Sequence, residues 1–222
     1  MALGDGSFEA DGARLVVRIW LPDRPGALGL VASRIGALGA DIVGIDVLER
    51  SEHVAVDEFA VVLPDAELVP LLVREIGEVD GASVEEWQLV GRFPDPRLDA
   101  LETVEQLMHA SAPADLAIRL ASGVRSEFNA DWSVVLQDVD VVAAIGSEIP
   151  ESSVLHALAT GTTASPAVAA GEAGPDDLAI ASLDALGAIL LVGRDGHPFR
   201  RRERQQLLAL ARIADRIAAL VP

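Results

Sequence analysis

The chain changes its hydrophobic period abruptly across residues 22–29, Pro-Asp-Arg-Pro-Gly-Ala-Leu-Gly. Before that point Leu15–Leu21 (LVVRIWL) is short, apolar and rich in β-branched residues, which predicts a strand. After it Leu28, Val31, Ile35 and Leu38 recur at three- and four-residue spacing and Gly39 supplies a stop, which predicts a helix over 25–38. A strand that runs straight into a helix leaves the first helical N–H groups without intrahelical partners, and the helix dipole makes that end attractive to a carboxylate. The N–H groups of Gly26, Ala27 and Leu28 are the expected donors, with Gly26 allowing close approach because it has no Cβ. The competing reading needs no ligand: Asp23 caps the helix and Gly26 merely packs.

The following residues extend the pattern. Asp41–Arg50 and Val54–Leu63 read as strands joined by the short polar loop Ser51-Glu52-His53. Pro64-Asp65 opens a second helix with Leu68, Leu71, Leu72 and Ile76 on one face, and Ser83–Val90 is a last strand. The order βαββαβ is that of a ferredoxin-like split. Gly91-Arg92-Phe93-Pro94-Asp95-Pro96 holds two prolines a residue apart, so a domain boundary is expected there.

Beyond it come two helical patterns, 98–110 and 113–128, then strands over 132–137 and 141–146. The stretch 147–175 is rich in small residues, with a short helical piece around 154–159. Two more apolar runs, 178–183 and 188–193, read as paired strands, and Leu207, Leu210, Ile213, Ile217 and Leu220 mark a long amphipathic helix over 199–220. Helices first, antiparallel strands in the middle and a terminal helix predict an α+β sandwich.

The tetrad Asp23-Arg24-Pro25-Gly26, followed by Leu38-Gly39-Ala40-Asp41-Ile42, resembles the ACT domain, a regulatory module that in many members binds an amino acid. The resemblance covers about 13–90. It implies a site at a dimer interface, with Asp23, Pro25, Gly26, Ala27 and Leu28 of one subunit facing Asp41 and Ile42 of another. Asp41 stands where such members often have Asn, and Leu21 where some serine-binding members have His. The ending LGAILLVGRDGHPFRRRERQQLLALARIADRIAAL resembles the C-terminal part of a GAF domain. That likeness implies a ligand space between the sheet and 147–175, with His156, Thr160, Thr162 and Thr163 as its polar candidates. The expected organisation is a flexible amino terminus over 1–12, an ACT domain over 13–91, a linker over 92–97 and a GAF-like domain over 98–222.

Composition removes whole function classes. The net charge of −18, from 17 arginines against 35 acidic residues, opposes binding to nucleic acid or an anionic membrane. No apolar run approaches the roughly 20 residues of a membrane span, and residues 1–14 have no secretory pattern, so a cytoplasmic site is expected. There is no cysteine, the four histidines lie far apart without metal-ligand spacing, and no nucleophile elbow or phosphate loop occurs, so no catalytic residue, metal or cofactor is expected. The one basic cluster, Arg200-Arg201-Arg202-Glu203-Arg204, reads as a solvated helix face with internal salt bridges. The expected function is a non-catalytic allosteric sensor, a homodimer or higher homo-oligomer that binds a small metabolite, most simply an amino acid. The alternative is a ligand-free dimerisation and interaction module acting on a partner protein.

Overall fold

The computed structural model describes residues 12–163 and 165–221, with the side chain of Thr163 undescribed. Residues 1–11 of the segment expected to be flexible therefore lie outside the described residues. The fold is mixed α+β with two antiparallel four-stranded sheets, and the chain divides into two compact units between Phe93 and Pro94.

In the first unit the elements run β1 (Ala13–Pro22), α1 (Ala27–Ala37), β2 (Asp41–Arg50), β3 (Val54–Leu63), α2 (Val69–Gly77) and β4 (Ser83–Leu89). The strand order is β2-β3-β1-β4, the ferredoxin-like one, which leaves β2 and β4 at the edges. Alternation decides which residues face the helices. Leu15, Val17, Ile19 and Leu21 of β1 and Phe59, Val61 and Leu63 of β3 are buried against Val31 and Ile35 of α1 and Leu72 and Ile76 of α2. The even-numbered positions form the other face. There the buried Arg18 lies between Glu58 and Glu86, at 2.7 and 3.2 Å, across three adjacent strands. The second helix begins later than the Pro64-Asp65 signal suggests. Asp65 caps a single 3-10 turn, Ala66–Leu68, accepting from the Glu67 N–H at 2.9 Å, and the α-helix then restarts with Pro70 in its first turn.

The second unit contains α3 (Pro96–Met108), α4 (Pro113–Glu127), β5 (Trp132–Gln137), β6 (Asp140–Gly146), α5 (Ser152–Thr163), α6 (Pro166–Ala169), β7 (Leu178–Leu183), β8 (Ala188–Gly193) and α7 (Arg201–Ala218). The stretch 92–97 is not wholly a linker, because the Asp95 carboxylate accepts from the Arg97 and Leu98 N–H groups and starts α3 at Pro96. The sheet order is β6-β5-β8-β7. Both faces are covered, which is why its central strands read as unbroken apolar runs. Val135, Leu190, Val192, Ala179 and Ala181 pack with α4 and α7, while Leu136, Leu191, Leu178 and Ile180 form a second cluster with Ala159 of α5.

The arginine cluster is only partly a solvated face, with Arg201 exposed and most of the rest turned inward. Glu203 and Arg204 are buried, and Arg200 is nearly so at 9% exposure. The Arg194 guanidinium donates to both Glu203 oxygens at 2.8 and 2.9 Å, to the carbonyls of Phe128, His197 and Pro198, and stacks 4.0 Å from the centre of the Phe199 ring. Glu203 also accepts from the Arg200 N–H, and Arg204 donates to the carbonyls of Leu178, Pro175 and Phe199. These bonds lock the β8–α7 turn and the start of α7. Charge periodicity cannot reveal them, because most acceptors are backbone carbonyls, and those of Phe128, Pro175 and Leu178 come from distant segments. Among the described residues, no helix is long and apolar enough to cross a membrane.

Candidate functional site

The β1–α1 junction has the local geometry that an anion-binding helix start needs. Gly26 immediately precedes α1 with φ 90° and ψ −15°, a left-handed conformation suited to a residue without Cβ, and a Cβ placed there meets open space. No side chain caps the helix. The Ala27 N–H is spent on the Arg24 carbonyl at 3.2 Å, and Leu30 makes the first bond back to Gly26 at 3.0 Å. Among the described residues, the N–H groups of Leu28 and Gly29 donate to no carbonyl, so the available donors sit one residue later than expected. Pro25, Gly26 and Leu28 are exposed and Ala27 is buried.

Asp23 does not cap α1. One of its oxygens, Oδ1, accepts from both Nε and Nη2 of Arg50, at 3.2 and 2.9 Å, and its N–H donates to the His53 carbonyl at 2.9 Å. The reason is register: Pro22 pairs with Val54 and Arg50 with Ala55, so the ends of β1 and β2 flank the start of β3. Asp57 stands beside this pair. It lies opposite Ile19 on one side and Val47 on the other, on the helix-facing side of β3. It is 6% exposed, and its Oδ1 has no hydrogen-bond partner among the described residues. Burial pushes its carboxyl above the ordinary 3.8, the Arg50 charge pulls it back, and the Asp23 charge raises it further.

Asp41 and Ile42 lie at the other end. Asp41 pairs with Val62 and is exposed, and it stands at the opposite end of the 10-residue β2 from Arg50, roughly 30 Å away at ~3.3 Å per residue step. One copy of the chain therefore does not bring Asp23 and Asp41 together. Between them β2 is an edge strand with Val43, Ile45 and Val47 exposed at 52%, 40% and 45%, and Ile45 and Val47 lie opposite Phe59 and Asp57 on the helix side. Sequence reasoning missed Arg50 and Asp57. Asp57 was detectable, since it breaks the apolar alternation Ala55, Phe59, Val61, Leu63 with a carboxylate on the buried parity. Arg50 was not, because only the sheet brings it to Asp23. Among the described residues, no group of three or more His, Asp or Glu side chains is arranged to hold a metal ion.

In the second unit the expected polar candidates are engaged locally. The Thr160 and Thr162 hydroxyls donate to the carbonyls of His156 and Leu158, and the His156 ring bonds the Asp138 carbonyl at 3.3 Å. Leu155 and Ala159 of α5 are buried. A cavity of about 370 Å³ lies elsewhere, lined by Pro113, Ala117, Val135, Gln137, Val142 and Leu186, among others.

No protein-family model matches the chain, and no curated protein sequence matches it. Similar solved structures include the ACT domain from the GTP pyrophosphokinase of Chlorobium tepidum, at 13% identity and a TM-score of 0.29, over 37% of this chain and 90% of that one. Another is the chromophore-binding domain of the bacteriophytochrome RpBphP3 from R. palustris, at 11% identity and a TM-score of 0.38, over 95% of each chain.

Proposed function

We propose that this chain is a non-catalytic regulatory protein. Its first unit is an ACT-type module that binds a small metabolite, an amino acid, where two copies meet, and its second is a GAF-type module. The observation that carries the reading is the direction of β2. When an edge strand pairs with its own copy about a two-fold axis it pairs antiparallel, so residue i of one copy meets residue j of the other and the reverse. If Asp41–Arg50 pairs over its whole length with its own copy, Asp41 of the second copy lies beside Arg50, Asp23 and the first turn of α1. The exposed Ile45 and Val47 are the apolar surface such a pairing would cover.

Each composite site would then contain amide donors from one copy and a carboxylate from the other. A metabolite touching both copies favours the associated state by its differential affinity, and that shift is the signal. The local bonding of His156, Thr160 and Thr162 favours a ligand-free role for the second unit, in association or partner docking.

The test combines sedimentation with a thermal-shift panel of the twenty amino acids. A dimer stabilised by one of them is expected; a ligand at ~100 times its Kd adds about 2.7 kcal/mol. Ile45→Lys, which sets a charge on the edge strand, is expected to give a folded monomer without the ligand-induced shift. A wild-type chain that is monomeric at all concentrations refutes the proposal. A dimer with a flat panel leaves the second reading, a ligand-free interaction module.

A further inference from the structure

Resting on that reading of the site, we infer that its ligand is an α-amino acid with a cationic side chain, and that Asp57 is the residue that selects it. A buried carboxylate oxygen without a donor is rare, because desolvation is then uncompensated. Asp57 Oδ1 is such an atom, in a side chain more than nine-tenths buried. The charged groups whose fields reach it are Arg50 and Asp23. Arg50 directs Nε and Nη2 at Asp23, so those two donors are committed elsewhere.

Two carboxylates thus share one arginine in each copy, and the two-fold pairing of β2 adds a third, Asp41 of the second copy. A neutral amino acid is a zwitterion and brings no net charge to this deficit. An amino acid with a second ammonium or guanidinium brings one positive charge. Its α-carboxylate takes the free N–H groups of Leu28 and Gly29, and its side-chain cation takes Asp57 Oδ1.

The experiment is calorimetric titration of the full chain with lysine, arginine, serine, glutamate and the diamine cadaverine, at one ionic strength. Lysine or arginine is expected to bind at least tenfold more tightly than serine, and glutamate most weakly. Asp57→Asn is close in shape and removes a buried charge, so its melting temperature is expected not to fall. The variant is expected to lose at least tenfold in lysine affinity and to keep serine affinity within twofold. Equal affinities for lysine and serine, or lysine binding unaffected by the variant, overturn the inference and leave the interface site standing. Cadaverine binding as tightly as lysine overturns the α-amino-acid assignment. Failure of every amino acid to bind overturns both this inference and the reading beneath it.

Discussion

Glu127 offers a quantitative test of the second unit. It ends α4 and joins three helices: its carboxylate accepts from the Gln206 amide of α7 and, at 3.3 Å, from the Thr103 hydroxyl of α3. Burial dominates over these bonds and, with the Asp99 charge adding to it, lifts the carboxyl from 4.5 to about 6. A carboxyl raised in the folded state binds more protons there than in the unfolded chain. Stability therefore falls as pH rises from about 4.5 to about 6, and this contribution is constant above and below that window. The interval corresponds to ~2 kcal/mol at 1.36 kcal/mol per pH unit, and to about 1–2 kcal/mol once the group's partial exposure to solvent is allowed for.

Glu127→Gln keeps the shape without the charge: the amide oxygen can accept from Gln206, and the NH2 can donate to the Thr103 hydroxyl, which turns to accept. The variant is expected to be more stable than wild type by about 1–2 kcal/mol at pH 7 and to lose that advantage at pH 4. Trp132 lies in the second unit, and replacing the other two tryptophans, Trp20 and Trp87, with Phe makes it the sole fluorescent reporter. Urea unfolding at pH 4, 5, 6 and 7 then gives the difference directly. A wild-type-to-variant difference that stays flat with pH, or a Gln variant that is less stable at pH 7, refutes the argument.

Two other substitutions probe the same unit. Glu203→Ala leaves Arg194 buried without its carboxylate and is expected to cost about 3–5 kcal/mol, while Arg201→Ala on the exposed side of α7 stays within about 0.5 kcal/mol; denaturant midpoints of the two check the contrast. Gly193→Ala sets a Cβ 2.1 Å from the Trp132 ring, so it is expected to lower stability by about 1–3 kcal/mol and to change the Trp132 fluorescence of the native state.

Local pattern carried most of the element boundaries. Leu178–Leu183 and Ala188–Gly193 match the apolar runs residue for residue, and the β2–β3 hairpin matches Ser51-Glu52-His53, because strand alternation and turn chemistry are written in neighbouring residues. The exceptions have local causes too. Asp95 starts α3 at Pro96, two residues before the expected 98, and Asp65 caps a 3-10 turn ahead of α2, and in both places a side-chain hydrogen bond sets the start.

The geometry of the candidate site was legible in the sequence in one half. Gly26 and the amide-bearing start of α1 follow from the switch in hydrophobic period, a property of consecutive residues. The partner of Asp23 does not, because Arg50, 27 residues away in the chain, reaches it only through the pairing of β1 and β2 with β3. Asp57 differs again: its carboxylate is visible in the sequence, but its buried, unpartnered oxygen is a consequence of register. Secondary structure and the helix start were set by short-range covalent geometry and hydrophobic spacing. Which charges face one another, and that Asp23 and Asp41 lie at opposite ends of the sheet, were decided by the sheet, since strand order and direction are properties of the whole fold.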